Sequence, residues 1–333
     1  GFSNLVEFQN VVIRPILESL ISKAATSLTV SGEEQISSIP SVFLSNHRDI
    51  VMDPSLLALS LMRVTGNTCE VAIGDNLLAT EWIRTLVRLN RCFIVKRGLT
   101  PRDMAKSFMQ LSSYIRYAVT DKKVNVWIAQ REGRAKDSND RTQESLIKML
   151  ALSGNADFIE NLKSLNICPL SISYEFDPCD YLKAAEFQLK RDNADYKKTK
   201  ADDLLSMQTG IMGWKGRVHY AFTESINTKL DEIAQSGMNK KDQAAAVCAL
   251  CDHQIHAAYQ LYPINRWAYE QLTGDTKYAN VDTAEERAMA EKYLRGQLAK
   301  INIPNKDEEY LWHKLLEMYA NPFINYLKTN TNN

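Results

Sequence analysis

A histidine followed closely by two carboxylates is the most reactive grouping in this chain. His47 precedes Asp49 and Asp53 in the run Ser45-Asn46-His47-Arg48-Asp49-Ile50-Val51-Met52-Asp53-Pro54. An imidazole can take a proton from a hydroxyl. A carboxylate beside it fixes the tautomer and stabilises the imidazolium that results. No nearby serine or cysteine forms a nucleophile elbow, and the chain has no G-x-S-x-G. That favours direct attack by a substrate hydroxyl over a covalent enzyme intermediate. By itself a His-Asp pair is also compatible with a structural role. His47-Arg48-Asp49 matches the catalytic triplet of protein kinases as well. That motif needs an asparagine five residues beyond the aspartate, where Pro54 stands, and neither G-x-G-x-x-G nor D-F-G occurs.

Two further groupings carry cations at the ends of strand-like segments. Phe93-Ile94-Val95 leads into Lys96-Arg97. Val124–Ala129 leads into Gln130-Arg131-Glu132-Gly133-Arg134-Ala135-Lys136. Ligands of open α/β sheets bind at strand ends. The arginine fork suits phosphate, and a glycine permits close approach of the backbone. The competing reading is a set of surface charges paired with Asp137 and Asp140. A third grouping, Cys248-Ala-Leu-Cys251 with His253 and His256, has the residue types of a zinc site. Residues 240–262 read as one continuous helix, whereas structural zinc draws ligands from a turn and a second element. Packed thiols are the preferred reading, and no metal is expected.

The elements that must position these residues alternate. Strands are expected at 41–45, 69–73, 92–96, 124–129, 168–174 and 217–222. Helices are expected at 54–63, 76–90 and 101–119, since proline suits a first helical turn. This alternation indicates an α/β layered domain. Helical spacing then dominates at 240–262, 264–272, 283–298 and 307–328. Residues 5–25 also carry apolar positions at helical spacing, interrupted by Pro15. With few basic residues, that segment is read as a helix on the core rather than on a membrane surface. The lysine- and aspartate-rich stretch 190–205 reads as a solvated helix face or loop. The organisation is therefore an N-terminal helical segment (1–33), an α/β domain (34–237) and a C-terminal helical region (238–333).

Bulk properties are consistent with such a protein. Of 333 residues, 45% are apolar and 24% charged, and the formal net charge is zero. Bulk charge thus gives no indication of nucleic-acid binding. The six cysteines lie mostly in apolar segments, which suits buried thiols in a reducing compartment. The chain begins with Gly1, so it reads as processed or trimmed, and no signal peptide is evident at its start. No apolar run reaches the roughly 18 residues of a membrane-spanning helix.

In order, four blocks resemble the motifs of the glycerolipid acyltransferase superfamily, which includes glycerol-3-phosphate and 1-acylglycerol-3-phosphate acyltransferases. They are Asn46–Asp53, Phe93–Arg97, Glu132-Gly133-Arg134 and Ile167-Cys168-Pro169-Leu170-Ser171-Ile172-Ser173-Tyr174-Glu175. With Gly74-Asp75-Asn76 and Ile128–Asp137, the stretch is similar to a bacterial branch of 1-acylglycerol-3-phosphate acyltransferase-like proteins. Two spacings differ from the family pattern. Five residues separate His47 from Asp53 and one separates it from Asp49, where the family has four. Asp53 is the preferred partner and Asp49 the alternative. Gly133 and Arg134 are adjacent, where the family has a residue between them.

The resemblance implies a mixed, mostly parallel sheet flanked by helices. It also implies transfer of a fatty acyl group from acyl-CoA or acyl carrier protein to a lysophosphatidate-type hydroxyl, without a cofactor. His47 would be the base and Asp53 or Asp49 its partner. Asn46, Arg48, Lys96, Arg97, Glu132, Gly133, Arg134 and Pro169 would meet the substrate. The acceptor phosphate would sit between Arg97 and the 132–134 turn. Glycerol-3-phosphate or another lysolipid is an alternative acceptor. A hydrolase and a non-catalytic lipid-binding protein are rival readings. Peripheral contact with the inner face of the cell membrane follows from the insolubility of such substrates.

Overall fold

The computed structural model describes residues 4–36, 38–78, 81–96 and 98–330. Among the described residues, seven strands form one sheet: β1 (Ser27–Ser31), β2 (Val42–Ser45), β3 (Cys69–Gly74), β4 (Cys92–Val95), β5 (Asn125–Ala129), β6 (Ile167–Tyr174) and β7 (Arg217–Phe222). Their order is β1-β7-β6-β2-β5-β3-β4. Every pairing is parallel except β6 with β7. The expectation of a mixed, mostly parallel sheet is met. A seventh strand, β1, lies inside the stretch read as helical up to residue 33. It pairs with β7, Ser27 opposite Arg217, so the sheet starts before residue 34.

The helices among the described residues begin with α1 (Leu5–Phe8) and α2 (Arg14–Ala24), bridged by a π-helical stretch, Gln9–Ile13. Pro15 therefore neither ends nor divides the helix. The wider turn ahead of it accommodates a ring that lacks an N–H and would clash with an ordinary α-turn. Next come α3 (Met52–Thr65), α4 (Glu81–Leu89), α5 (Pro101–Thr120), α6 (Glu144–Leu150) and α7 (Phe158–Lys163). Then follow α8 (Asp180–Asp192), α9 (Lys200–Met212) and α10 (Asn227–Gln235). The C-terminal region is α11 (Lys240–Ala257), α12 (Pro263–Thr273), α13 (Ala284–Lys300) and α14 (Glu308–Asn330), close to the expected spans.

Strand alternation divides the core into two layers. Val42, Leu44, Val126 and Ile128 face α5, α6, α7, α10 and α11. Phe43, Trp127, Leu170, Ile172 and Tyr220 face the layer of α2 and α3. Leu56, Leu57, Leu59 and Leu61 on α3 are fully buried. Each such side chain contributes roughly 1.5–3 kcal/mol, so α3 is firmly anchored. A third core joins α8 to α12, α13 and α14. Cys248 and Cys251 pack into the first core layer. Among the described residues, no His/Cys/Asp/Glu group is placed to hold a metal, and no helix is long and apolar enough to cross a membrane.

Candidate active site

Because β2 to β6 run parallel, the segments after them emerge on one edge of the sheet. His47 follows β2, Lys96 follows β4, the 130–136 loop follows β5, and Glu175 follows β6. The fold thus brings blocks separated in sequence to one edge. They do not all meet. Lys96 is exposed beyond the edge strand β4, three strand spacings from β2, or about 14 Å. Arg97, expected to bind phosphate, lies outside the described residues.

The His47 loop is built by side chains that replace lost backbone partners. β2 leaves the sheet at Asn46, where β6 would lose a neighbour. The Asn46 amide fills the gap: Nδ2 donates to the Ile172 carbonyl at 2.9 Å, and Oδ1 accepts the Ile172 N–H at 2.8 Å. Buried backbone groups need such substitutes. One residue later the chain turns. Asp53, at the start of α3, accepts the N–H groups of Arg48 at 2.6 Å and Asp49 at 3.0 Å on Oδ2. The same oxygen receives His47 Nδ1 at 2.7 Å. A carboxylate at a helix N-terminus is also favoured by the helix dipole.

This geometry decides between the two acids. Asp53 is bonded to His47. Asp49 Oδ1 instead accepts the N–H groups of Val51 and Met52 at 2.9 and 2.8 Å, closing the first turn of α3. Burial first, then Asp53, pushes the Asp49 carboxyl above its usual range, against those N–H groups and the Arg134 charge. The hydrogen bond to Asp53 places the ring proton on Nδ1, leaving Nε2 as the basic nitrogen. The His47 side chain is 14% exposed and Asp53 fully buried. Trp127 meets the imidazole edge-on at 5.5 Å, and its indole N–H donates to Ser45 Oγ at 2.9 Å. The Tyr220 hydroxyl donates to the Asp53 carbonyl at 2.9 Å.

Several residues expected to meet substrate are engaged with protein instead. Asn46 is occupied by Ile172. The Arg48 guanidinium binds Asp140, Nη2 to Oδ2 at 2.7 Å and Nη1 to Oδ1 at 3.4 Å. Asp140 was one of the acids expected to neutralise the 131–136 cations; its partner is Arg48. Pro169 is the third residue of β6. It is buried opposite Leu44, and its carbonyl accepts from Thr223. The 132–134 turn does lie beside the loop, since the Arg134 charge acts on Asp49, Asp177 and Cys179. Buried Arg134 Nη1, Arg131 Nε and Gln130 Nε2 have no hydrogen-bond partner among the described residues. Glu132 is exposed. Gly133 has φ +70° with open space before its Cα, so conformation rather than close approach calls for glycine.

An apolar cavity of about 180 Å³ opens beside the loop. Ile50, Val51 and Pro54 form its near end, Ala58 and Met62 of α3 its floor, and Ile13, Leu17, Met207 and Ile211 its roof. The lining is drawn from five separate stretches of chain, so no single spacing pattern marks it as a whole. Trp127 was readable only as a strand residue. Cys92 also lines the cavity, and burial pushes its thiol up to about 12, so it is a poor nucleophile.

Residues 27–173 match the family model described as Acyltransferase. No curated protein matches the chain. Among solved structures, the crystal structure of a 1-acyl-sn-glycerophosphate (LPA) acyltransferase, PlsC, from Thermotoga maritima aligns remotely. Identity is 12%, covering 75% of this chain and 86% of that one, with a TM-score of 0.37. The family match spans the His47, Lys96, 132–134 and β6 blocks in their order. Residues 27–173, which hold the His47, Lys96 and 132–134 blocks and nearly all of β6, are therefore similar to the acyltransferase family.

Proposed function

We propose that this protein transfers a fatty acyl group from a thioester, acyl-CoA or acyl carrier protein, to the hydroxyl of a lysophosphatidate-type acceptor in phospholipid biosynthesis. The observation that carries this reading is the 2.7 Å bond between His47 Nδ1 and buried Asp53, in a loop whose neighbouring residues Ile50, Val51 and Pro54 line an apolar cavity. His47 Nε2 takes the proton of the acceptor hydroxyl as its oxygen attacks the thioester carbonyl. The tetrahedral intermediate collapses, the C–S bond breaks, and the departing thiolate recovers the proton from the imidazolium. General-base action of this type supplies roughly 10²–10⁴-fold, and alignment of the two substrates supplies much of the rest. The cavity suits an acyl tail. The unpartnered Arg131, Arg134 and Gln130 donors suit an acceptor phosphate. Lys96 would bind that phosphate only from farther along the sheet edge; Arg97, the other cation expected to bind it, lies outside the described residues. Glycerol-3-phosphate remains an alternative acceptor.

Peripheral contact with the inner face of the cell membrane belongs to the same proposal. The helices roofing the cavity with Ile13, Leu17, Met207 and Ile211 expose Val11, Ile16 and Met212, with Trp214 just beyond. Flotation with anionic liposomes tests that contact, and failure to float counts against it.

The deciding experiment mixes the protein with palmitoyl-CoA or palmitoyl carrier protein and a panel of lysophosphatidate, glycerol-3-phosphate and other lysolipids. Products are read by mass spectrometry beside His47→Ala. A new ester absent from the variant is expected and names the acceptor. Free fatty acid alone would make the protein a hydrolase. Near-wild-type turnover by His47→Ala would remove the mechanism.

A further inference from the structure

Resting on the reading of His47 as the base, we infer that Arg48, Lys183 and Tyr259 are positioning residues that hold the His47 loop from the C-terminal side. The region after residue 173, outside the family match, is then part of the machinery of transfer.

The loop is clamped on both sides of the histidine. Asn46, before it, is fixed by β6. Arg48, after it, is held at three points. Its N–H is on Asp53. Its carbonyl accepts from Lys183 Nζ of α8 at 3.1 Å. Its guanidinium is bidentate on Asp140 and lies 5.9 Å from the Tyr259 ring. Each anchor is itself anchored. Lys183 is ion-paired with Asp177, whose N–H donates to the Tyr319 hydroxyl of α14 at 2.8 Å. The Tyr259 hydroxyl donates to Asp140 Oδ2. The Asp140 carbonyl is 3.0 Å from His256 Nε2 of α11. Asn321 of α14 donates to the Asp137 carbonyl at 2.8 Å.

Arg48, Lys183, Asp140 and Tyr259 are buried, and desolvating two cations and their partners is costly unless each group is bonded. A chain needing only a packed core could use apolar residues at these positions. What the polar arrangement provides is direction: it sets where residues 46–48 sit, and hence where His47 Nε2 points. Catalytic geometry tolerates little error, and a displacement of about 1 Å can cost a hundredfold in rate.

The test uses the full chain with palmitoyl-CoA and 1-acylglycerol-3-phosphate. Tyr259→Phe, which removes one hydroxyl, Lys183→Met and Lys183→Arg are measured beside His47→Ala, and thermal melts confirm folding. We expect kcat to fall about ten- to a hundredfold in Tyr259→Phe and Lys183→Met with KM unchanged, and Lys183→Arg to recover part of the loss. Folded variants with wild-type kcat beside an inactive His47→Ala would overturn the inference alone. So would a rise confined to KM. Wild-type turnover by His47→Ala would remove the underlying reading instead.

Discussion

His47 and Asp53 are joined through a single carboxylate oxygen that also holds the loop between them. Oδ2 of Asp53 accepts His47 Nδ1 at 2.7 Å and the N–H groups of Arg48 and Asp49 at 2.6 and 3.0 Å. One atom therefore orients the imidazole and shapes the turn that presents it. Asp53→Asn should lower kcat by at least about a hundredfold, because an amide can present its donor nitrogen to donors. Asp49→Asn keeps an oxygen for Val51 and Met52 and should lose far less. Steady-state kinetics on both variants checks this, and the reverse ranking would transfer the orienting role to Asp49.

Gly210 of α9 packs against the second Asp49 oxygen. A Cβ there would lie 1.9 Å from Asp49 Oδ2. Gly210→Ala must therefore displace either α9 or the Asp49 carboxylate, and with it the start of α3. Overpacking of this kind costs about 1–3 kcal/mol. Urea unfolding should show that loss, and kcat should fall with it. A variant of unchanged stability would mean that α9 yields freely.

The cavity beside the loop makes a prediction about chain length. Ala58 lies on its wall. Ala58→Phe fills space that a long acyl tail would occupy. Competition between palmitoyl and octanoyl thioesters should shift toward the shorter donor, with the shorter donor's kcat retained. An unchanged ratio would separate the cavity from the acyl tail.

Two buried groups give stability opposite dependences on pH. Burial first, then Asp177, pushes the Asp180 carboxyl up to about 7, against hydrogen bonds from Tyr319 and Gln297. The folded chain keeps a proton that the unfolded chain releases from about pH 4 upward, so this contribution is lost as pH rises toward 7. Burial pushes His256 down to about 4, against the pull of Asp140. The folded chain then lacks a proton that the unfolded chain holds below about pH 6.5, so this contribution is lost as pH falls from 6.5 toward 4. Each slope is at most about 1.4 kcal/mol per pH unit. Asp180→Asn should make stability rise more steeply with pH across that window, and His256→Gln should make it fall. Urea midpoints at several pH values measure both, and parallel curves for the two variants would contradict the assignment.

The sequence by itself determined the layer architecture, the order of the four blocks and the extent of the C-terminal helices. Periodicity of two or 3.6 is a local property, and long apolar strands and helices display it directly. β1 escaped because Ser27-Leu-Thr-Val-Ser31 is a short edge strand with a polar face, held by its pairing with β7. The helix across Pro15 escaped because a π-helical turn is not a spacing signal. Only the tertiary structure decided which acid bonds to His47. Asp49 and Asp53 are both close in sequence, and the direction of a turn, not residue type, places Oδ2 of Asp53 against Nδ1. It also decided that Asn46 and Arg48 are engaged with protein. Their partners, Ile172 and Asp140, lie 126 and 92 residues away, and a hydrogen bond depends on distance and direction in space, which no local pattern encodes.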